Sequence, residues 1–278
     1  MATNFGSRLQ ERVRALGPLC VGIDLSTTTL TSWRRSDDVA GLEFAALAML
    51  EAVGDVAAAI KPQVAFFERF GSEGFVVLER LIAEARDLGV LIIADAKRGD
   101  IGSTNEGYAQ AWLEDRSPLA VDALTVNPYL GLGALSSLFA SADSSGRGLF
   151  VVVASSNDEG RAIQAARADT GELVEDLLLR LVAERNESAE GLGSIGAVIG
   201  ATRERPKFDL AQVRGPFLVP GVGAQGATAN QVAQLFARCP ANSVLINVSR
   251  AVSDAGPDRR ALRDAAQRWR DDLSAALA

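Results

Sequence analysis

Eight short runs of apolar and β-branched residues recur along this chain, and helical patterns separate them. The runs, read as strands, are Leu19–Asp24, Ala57–Lys61, Val90–Asp95, Val121–Asn127, Leu149–Ser155, Gly196–Gly200, Phe217–Pro220 and Val244–Val248. The helical patterns are Leu42–Val53, Phe75–Leu88, Thr104–Glu114, Leu132–Ala140, Glu172–Glu187, Leu210–Val213, Ala229–Ala237 and Arg259–Ala276. Eight strand–helix units in 278 residues predict an α/β protein closed into a (β/α)8, or TIM, barrel. An open doubly wound sheet would carry a Gly-rich turn after its first strand. Here that strand leads instead into Gly22-Ile23-Asp24-Leu25. No repeat, low-complexity tract or linker divides the sequence, so residues 1–278 are expected to form one barrel domain. Ser141–Gly148 and Arg203–Arg214, polar and rich in Gly or Arg, read as the least ordered stretches.

Gly191-Leu192-Gly193-Ser194-Ile195-Gly196 matches the dinucleotide fingerprint letter by letter. That fingerprint must follow a strand and open a helix. This copy follows a helix and enters a strand, so it reads as a loop.

Several chemistries are excluded by what is missing. Without a single histidine there is no His-dependent triad and no His-ligated metal. Cys20 and Cys239 have neither metal-ligand nor disulfide-framework spacing, which suits a reducing cytoplasm. A net charge of −7 argues against a nucleic-acid surface. Met1 to Gly17 is too polar for a signal peptide, and no apolar run is long enough for a membrane helix. A cytoplasmic protein with no nucleic-acid or membrane partner is expected. Only three lysines, Lys61, Lys97 and Lys207, stand against 25 arginines. Two of them fall at strand ends, and lysine, unlike arginine, can give up its proton.

In a barrel of this type, chemistry gathers at the C-terminal strand ends. Asp24 ends the first expected strand, Lys61 the second, Asp95 and Lys97 the third and Asn127 the fourth. Ser155, Ser156 and Asn157 end the fifth, and Gln225 and Arg250 follow the seventh and eighth. Each also has a plain structural use. Asp24 and Asp100 can cap helices, Ser156 and Glu159 can form a capping box, and Lys61 can extend to the surface. Gly221-Val222-Gly223-Ala224-Gln225-Gly226 and Ser249-Arg250 occupy the loops that grip phosphate in many barrels. Together these residues point to a phosphorylated small molecule acted on by a Lys/Asp centre.

The block Asp95-x-Lys97-x-x-Asp100-Ile101-x-x-Thr104, preceded by Gly22-Ile23-Asp24 and Lys61, resembles the orotidine 5′-phosphate decarboxylases. Thr125-Val126-Asn127-Pro128-Tyr129, Ser155-Ser156-Asn157 and Pro220-Gly221-Val222-Gly223-Ala224-Gln225 are similar to its longer bacterial branch, which includes mycobacterial enzymes. The resemblance runs from Asp24 to Arg250 and implies decarboxylation of orotidine 5′-phosphate to UMP in pyrimidine biosynthesis, with no metal and no cofactor. It implies Lys97 as cation and proton donor, Asp95 beside the departing carboxylate, and Lys61 as the group that keeps Asp95 ionised. It further implies a homodimer in which Asp100 and Thr104 reach into the neighbouring site. Asp24 would bind ribose hydroxyls, Ser156 the pyrimidine amide, Gln225 and Arg250 the phosphate, and Asn127 is counted with the substrate-binding set. In several relatives a His or a Gly-Arg pair replaces Asn157 and Ser249-Arg250. A metal-dependent sugar-phosphate synthase or decarboxylase of the same barrel group shares Asp-x-Lys-x-x-Asp, but Lys61 in place of an acidic ligand would repel Mg2+. A Schiff-base aldolase is a further alternative, but Asp95 and Asp100 beside Lys97 would keep it protonated; a non-catalytic nucleotide-binding barrel is another, and the full set Lys61, Asp95, Lys97 and Asp100 speaks against it.

Overall fold

A computed structural model describes residues 4–203, 206–223 and 226–277. Eight parallel strands close into a barrel in sequence order: β1 (Leu19–Ile23), β2 (Ala59–Pro62), β3 (Leu91–Arg98), β4 (Ala123–Val126), β5 (Gly148–Ala154), β6 (Ile195–Ile199), β7 (Phe217–Pro220) and β8 (Val244–Val248). Pairing of β1 with β8, with Leu19 opposite Ile246, closes the ring. The expected fold is therefore the observed one.

Alternation along each strand divides the apolar residues into two layers. Leu19, Val21 and Ile23 face outward with the helices, whereas Cys20 joins Ala59, Leu91, Ile93, Ala123, Phe150, Val198, Leu218 and Leu245 in the interior. The same inward register, continued toward the C-terminal strand ends, carries Gly22 and Asp24 of the first strand, Lys61 of β2 and Asp95 of β3 above the interior layer. A filled barrel floor and a polar upper layer are thus built by one periodicity.

The outer helices follow the expected order, with boundaries corrected. The main ones are α1 (Phe5–Leu16), α2 (Val39–Val53), α3 (Gly71–Asp87), α4 (Gly102–Leu113), α5 (Ser136–Ser145), α6 (Val174–Arg185), α7 (Ala229–Phe236) and α8 (Arg259–Leu277). Leu132–Leu135 is a 3-10 turn leading into α5, so Ser141–Gly148 is not a loosely ordered stretch: it is the end of that helix and the start of β5. Leu210–Val213 is likewise a 3-10 turn, not a full helix. The Gly191–Gly196 segment is the expected loop running into β6.

Helix α1 is not expected from its mixed polar sequence. Phe5, Leu9 and Val13, four residues apart, form one stripe that seals the N-terminal end of the barrel interior. The Phe5 ring meets Phe150 edge-on, with centroids 5.9 Å apart. Gly148 makes room for it, because a Cβ there would lie 2.2 Å from the ring. Asn4 caps the helix by accepting from the Ser7 N–H at 2.8 Å.

Candidate active site

At the C-terminal end of the barrel the side chains of β1 to β4 converge on Asp95. Lys61 Nζ donates to Asp95 Oδ2 at 2.8 Å, and Lys97 Nζ donates to Asp95 Oδ1 at 2.6 Å. Asp24 Oδ1 lies 3.8 Å from Lys61 Nζ. Thr125 of β4 is 3.0 Å from Asp95 Oδ1 and accepts from the Lys97 N–H at 2.9 Å. Lys61 is 4% exposed while Lys97 is 50% exposed, so one amine is sealed in and the other faces the open end.

Charge explains why these ions tolerate burial. Burial alone would push Lys61 toward the neutral form, but Asp95 and Asp24 outweigh it and hold the amine above its ordinary value. Burial likewise opposes ionisation of Asp95, and Lys61 with Lys97 overcomes it, leaving the carboxyl well below the usual carboxylate range. Lys61 and Asp95 are thereby held charged at the centre of the chain of ionisable groups Asp24–Lys61–Asp95–Lys97. A surface position for Lys61 is excluded by its burial. Asp24 does not cap the following helix either, since the Thr27–Ser32 turn is capped by Ser26.

Asp95 and Lys97 lie inside β3, which runs three residues further than the expected strand and is irregular between Ala94 and Arg98. Arg98 anchors that end by pairing with Glu68. Beyond it, Asn105 is fully buried and clamps the turn: its Oδ1 accepts from the Asp100 N–H at 2.9 Å, and its Nδ2 donates to the Ala134 carbonyl at 2.7 Å. Asp100 is not a helix cap, because Ile101 holds that position and no side chain caps α4. Nor does Asp100 join that chain of charges. Its Oδ1 accepts from the Ile101 N–H at 2.8 Å, and Thr104 is exposed on the first turn of α4.

The remaining candidates ring the opening. Asn127 is exposed just past β4 and accepts from the Tyr129 N–H at 3.1 Å. After β5, Gln164 occupies Ser155 twice, donating to its Oγ at 2.8 Å and accepting from its N–H at 3.1 Å. Ser156 makes no such bond and is half-buried against Gly200, where a Cβ would come within 2.8 Å of it. The anticipated Ser156–Glu159 capping box does not form, as Glu159 accepts from Asn157. Arg250 is exposed at the start of the turn after β8. Gln225 lies outside the described residues. Flanking it, Gly221 and Gly223 have φ values of 105° and 75°, which only glycine adopts freely.

One residue of this layer is not evident from the sequence motifs. Asn247, within apolar β8, is 8% exposed; its Nδ2 donates to Ser249 at 3.1 Å, while its buried Oδ1 accepts nothing. Asp24 Oδ1 is the other such oxygen in this layer. A polar residue interrupting Val244–Val248 is the available signal. A hollow of about 930 Å3 lies at the opposite end of the barrel between Gly17, Phe236, Asn242 and Leu277 and has no lysine or carboxylate in its lining. Chemistry, not volume, therefore locates the site. Among the described residues, no cluster of three His, Cys, Asp or Glu side chains is arranged to hold a metal ion.

Residues 17–265 match the family described as "Orotidine 5'-phosphate decarboxylase / HUMPS family". The chain belongs to this family. A Salinispora arenicola orotidine 5′-phosphate decarboxylase is 50% identical over 275 residues, covering 99% of this chain and 98% of the relative. A crystal structure from Streptomyces avermitilis, described as an orotidine 5′-phosphate decarboxylase, superposes with a TM-score of 0.95 at 48% identity, covering 99% of this chain and 96% of that one. The Leishmania donovani OMP decarboxylase gives a TM-score of 0.76 at 28% identity, with 99% of both chains covered.

Proposed function

We propose that this chain is a carboxy-lyase that converts orotidine 5′-phosphate to UMP and CO2 in pyrimidine biosynthesis, in the cytoplasm, using neither metal nor organic cofactor. The observation that carries the reading is the alternating chain Lys61–Asp95–Lys97 at adjacent strand ends. Breaking the bond from C6 of the pyrimidine to its carboxylate leaves the electron pair in an in-plane orbital that the ring π-system cannot delocalise. Fixed positive charge at C6 lowers that barrier. Lys97 supplies it and then transfers a proton to C6, regaining one from solvent. Asp95 orients Lys97 and lies beside the departing carboxylate, where its charge disfavours the bound substrate relative to the CO2-like state. Lys61 keeps Asp95 ionised and in place.

Substrate binding falls to the surrounding residues. Asp24, with an oxygen that accepts no hydrogen bond, takes the ribose hydroxyls. Ser156 takes the pyrimidine amide, the neighbouring Ser155 being engaged by Gln164. Gln225 and Arg250 hold the phosphate, Asn127 completes the rim, and binding energy from the phosphate end is used in the chemical step. Asp100 and Thr104 serve the partner site of a homodimer. Support for that arrangement comes from three large apolar residues at the same edge, Ile101, Tyr129 and Leu130, which are 62%, 75% and 53% exposed. The family also contains a second chemistry in its name, and Lys61 speaks against a Mg2+-dependent version of it here: a sealed ammonium at the end of β2 repels a divalent cation.

Purified protein incubated with orotidine 5′-phosphate should release UMP and CO2 in equal amounts. Absence of turnover by folded wild-type protein would contradict the assignment and turn attention to sugar phosphates with Mg2+.

A further inference from the structure

Lys97 adopts a φ of +47°, a left-handed conformation that residues with a Cβ avoid, in the irregular stretch of β3 between Ala94 and Arg98. Such a conformation persists only where its surroundings over-determine it. Thr125, 1% exposed on the neighbouring strand, is placed to do this. Its Oγ1 accepts the Lys97 backbone N–H at 2.9 Å and lies 3.0 Å from Asp95 Oδ1. That carboxylate oxygen also receives Lys97 Nζ at 2.6 Å. A hydroxyl has one proton to give, and the charged Asp95 oxygen at 3.0 Å takes it in preference to the Ala94 carbonyl at 3.5 Å. One hydroxyl therefore holds both ends of the lysine: its backbone directly and its ammonium through Asp95.

We propose that Thr125 is a positioning residue for proton transfer, clamping Lys97 and Asp95 in the geometry that the reaction needs. The inference rests on the decarboxylase reading given above and concerns a residue outside the charged chain. Threonine suits the task because its β-branched side chain has few rotamers, so the hydroxyl direction is set by the strand. Valine has the same shape but removes both bonds. It leaves the Lys97 N–H without its acceptor and Asp95 with one donor fewer. Serine keeps both bonds. A residue that merely filled the barrel would affect stability alone.

The test is steady-state kinetics of Thr125→Val, Thr125→Ser and Thr125→Cys, with UMP affinity and melting temperature measured alongside. Loss of a hydrogen bond to a charged group predicts that kcat of Thr125→Val falls by about 10- to 100-fold, while KM and UMP affinity stay within about threefold. Thr125→Ser should keep kcat within about threefold of wild type. If Thr125→Val does not fold, Thr125→Cys, whose thiol donates and accepts weakly, is expected to show the same loss of kcat. A folded Thr125→Val or Thr125→Cys with wild-type kcat overturns the clamp, as does a Thr125→Ser that is as slow as valine. Wild-type protein without turnover overturns the decarboxylase reading and the clamp with it. An active wild type beside an equally active valine variant overturns the clamp alone.

Discussion

Lys61 and Lys97 bind opposite oxygens of one carboxylate, yet their surroundings give them different work. Lys61 is sealed between two carboxylates and held charged, so it is a fixed support; Lys97 is half exposed and faces the opening, where the proposed reaction needs a proton donor. The buried groups also set how stability responds to pH. Asp95, held below its ordinary range by the two lysines against burial, stabilises the fold above about pH 4, and this is lost as pH falls through its folded value. Lys61, held above 10.5, stabilises below that pH, and the contribution is lost as pH rises through its folded value. Burial pushes the Cys20 thiol up to about 12 from 9.0, so the unfolded chain ionises first and stability falls between those values. Urea midpoints at constant ionic strength should therefore be level across neutral pH and decline beyond pH 9, with a shallower decline in Cys20→Ala. An equal alkaline decline in both proteins would contradict the role given to Cys20. At this scale the ions are legible in the sequence, because charge at the end of an apolar run has few structural uses. Thr125 and the left-handed Lys97 are not: threonine is an ordinary strand residue, and its bonds to β3 depend on a cross-strand register that no local pattern encodes.

Among the elements, helix α1 separates what the barrel needs to exist from what it needs to react. Its stripe Phe5, Leu9 and Val13 closes the end of the barrel remote from Asp95. Phe5→Ala, at a fully buried position, should cost about 3–5 kcal/mol of stability in urea unfolding and leave kcat unchanged. A change in kcat without loss of stability would show that the floor communicates with the site. The strands can be read because buried parallel strands are continuous apolar runs, and the eightfold alternation with helices leaves one architecture. Helix α1 is hidden because only three apolar residues, spaced by four, carry its buried face amid polar ones. The extension of β3 through Lys97 and Arg98 is hidden because its polar residues look like a loop. The strand continues there because Arg98 pairs with Val126 in register and with Glu68 through its side chain.

The whole molecule carries a net charge of −7, yet its proposed phosphate end presents the exposed Arg250, and the apolar patch of Ile101, Tyr129 and Leu130 lies beside Asp100. These features fit a dimer whose sites are shared. Co-expression of Lys97→Ala with Asp100→Asn, each strongly impaired alone, should recover about a quarter of wild-type activity, because each hybrid dimer retains one site with both residues. No recovery from hybrids shown to form would contradict the shared site. The barrel fold and the set of strand-end ions are accessible from the sequence. The separation of Asp100 from the Asp24–Lys61–Asp95–Lys97 chain emerges only in three dimensions. The most direct measurement of the central claim is the fall in absorbance as orotidine 5′-phosphate is consumed in the presence of EDTA, by wild type and by Lys97→Ala. Turnover by the wild type that is abolished in a folded Lys97→Ala variant is the predicted result; turnover that stops in EDTA, or that survives without Lys97, would contradict it.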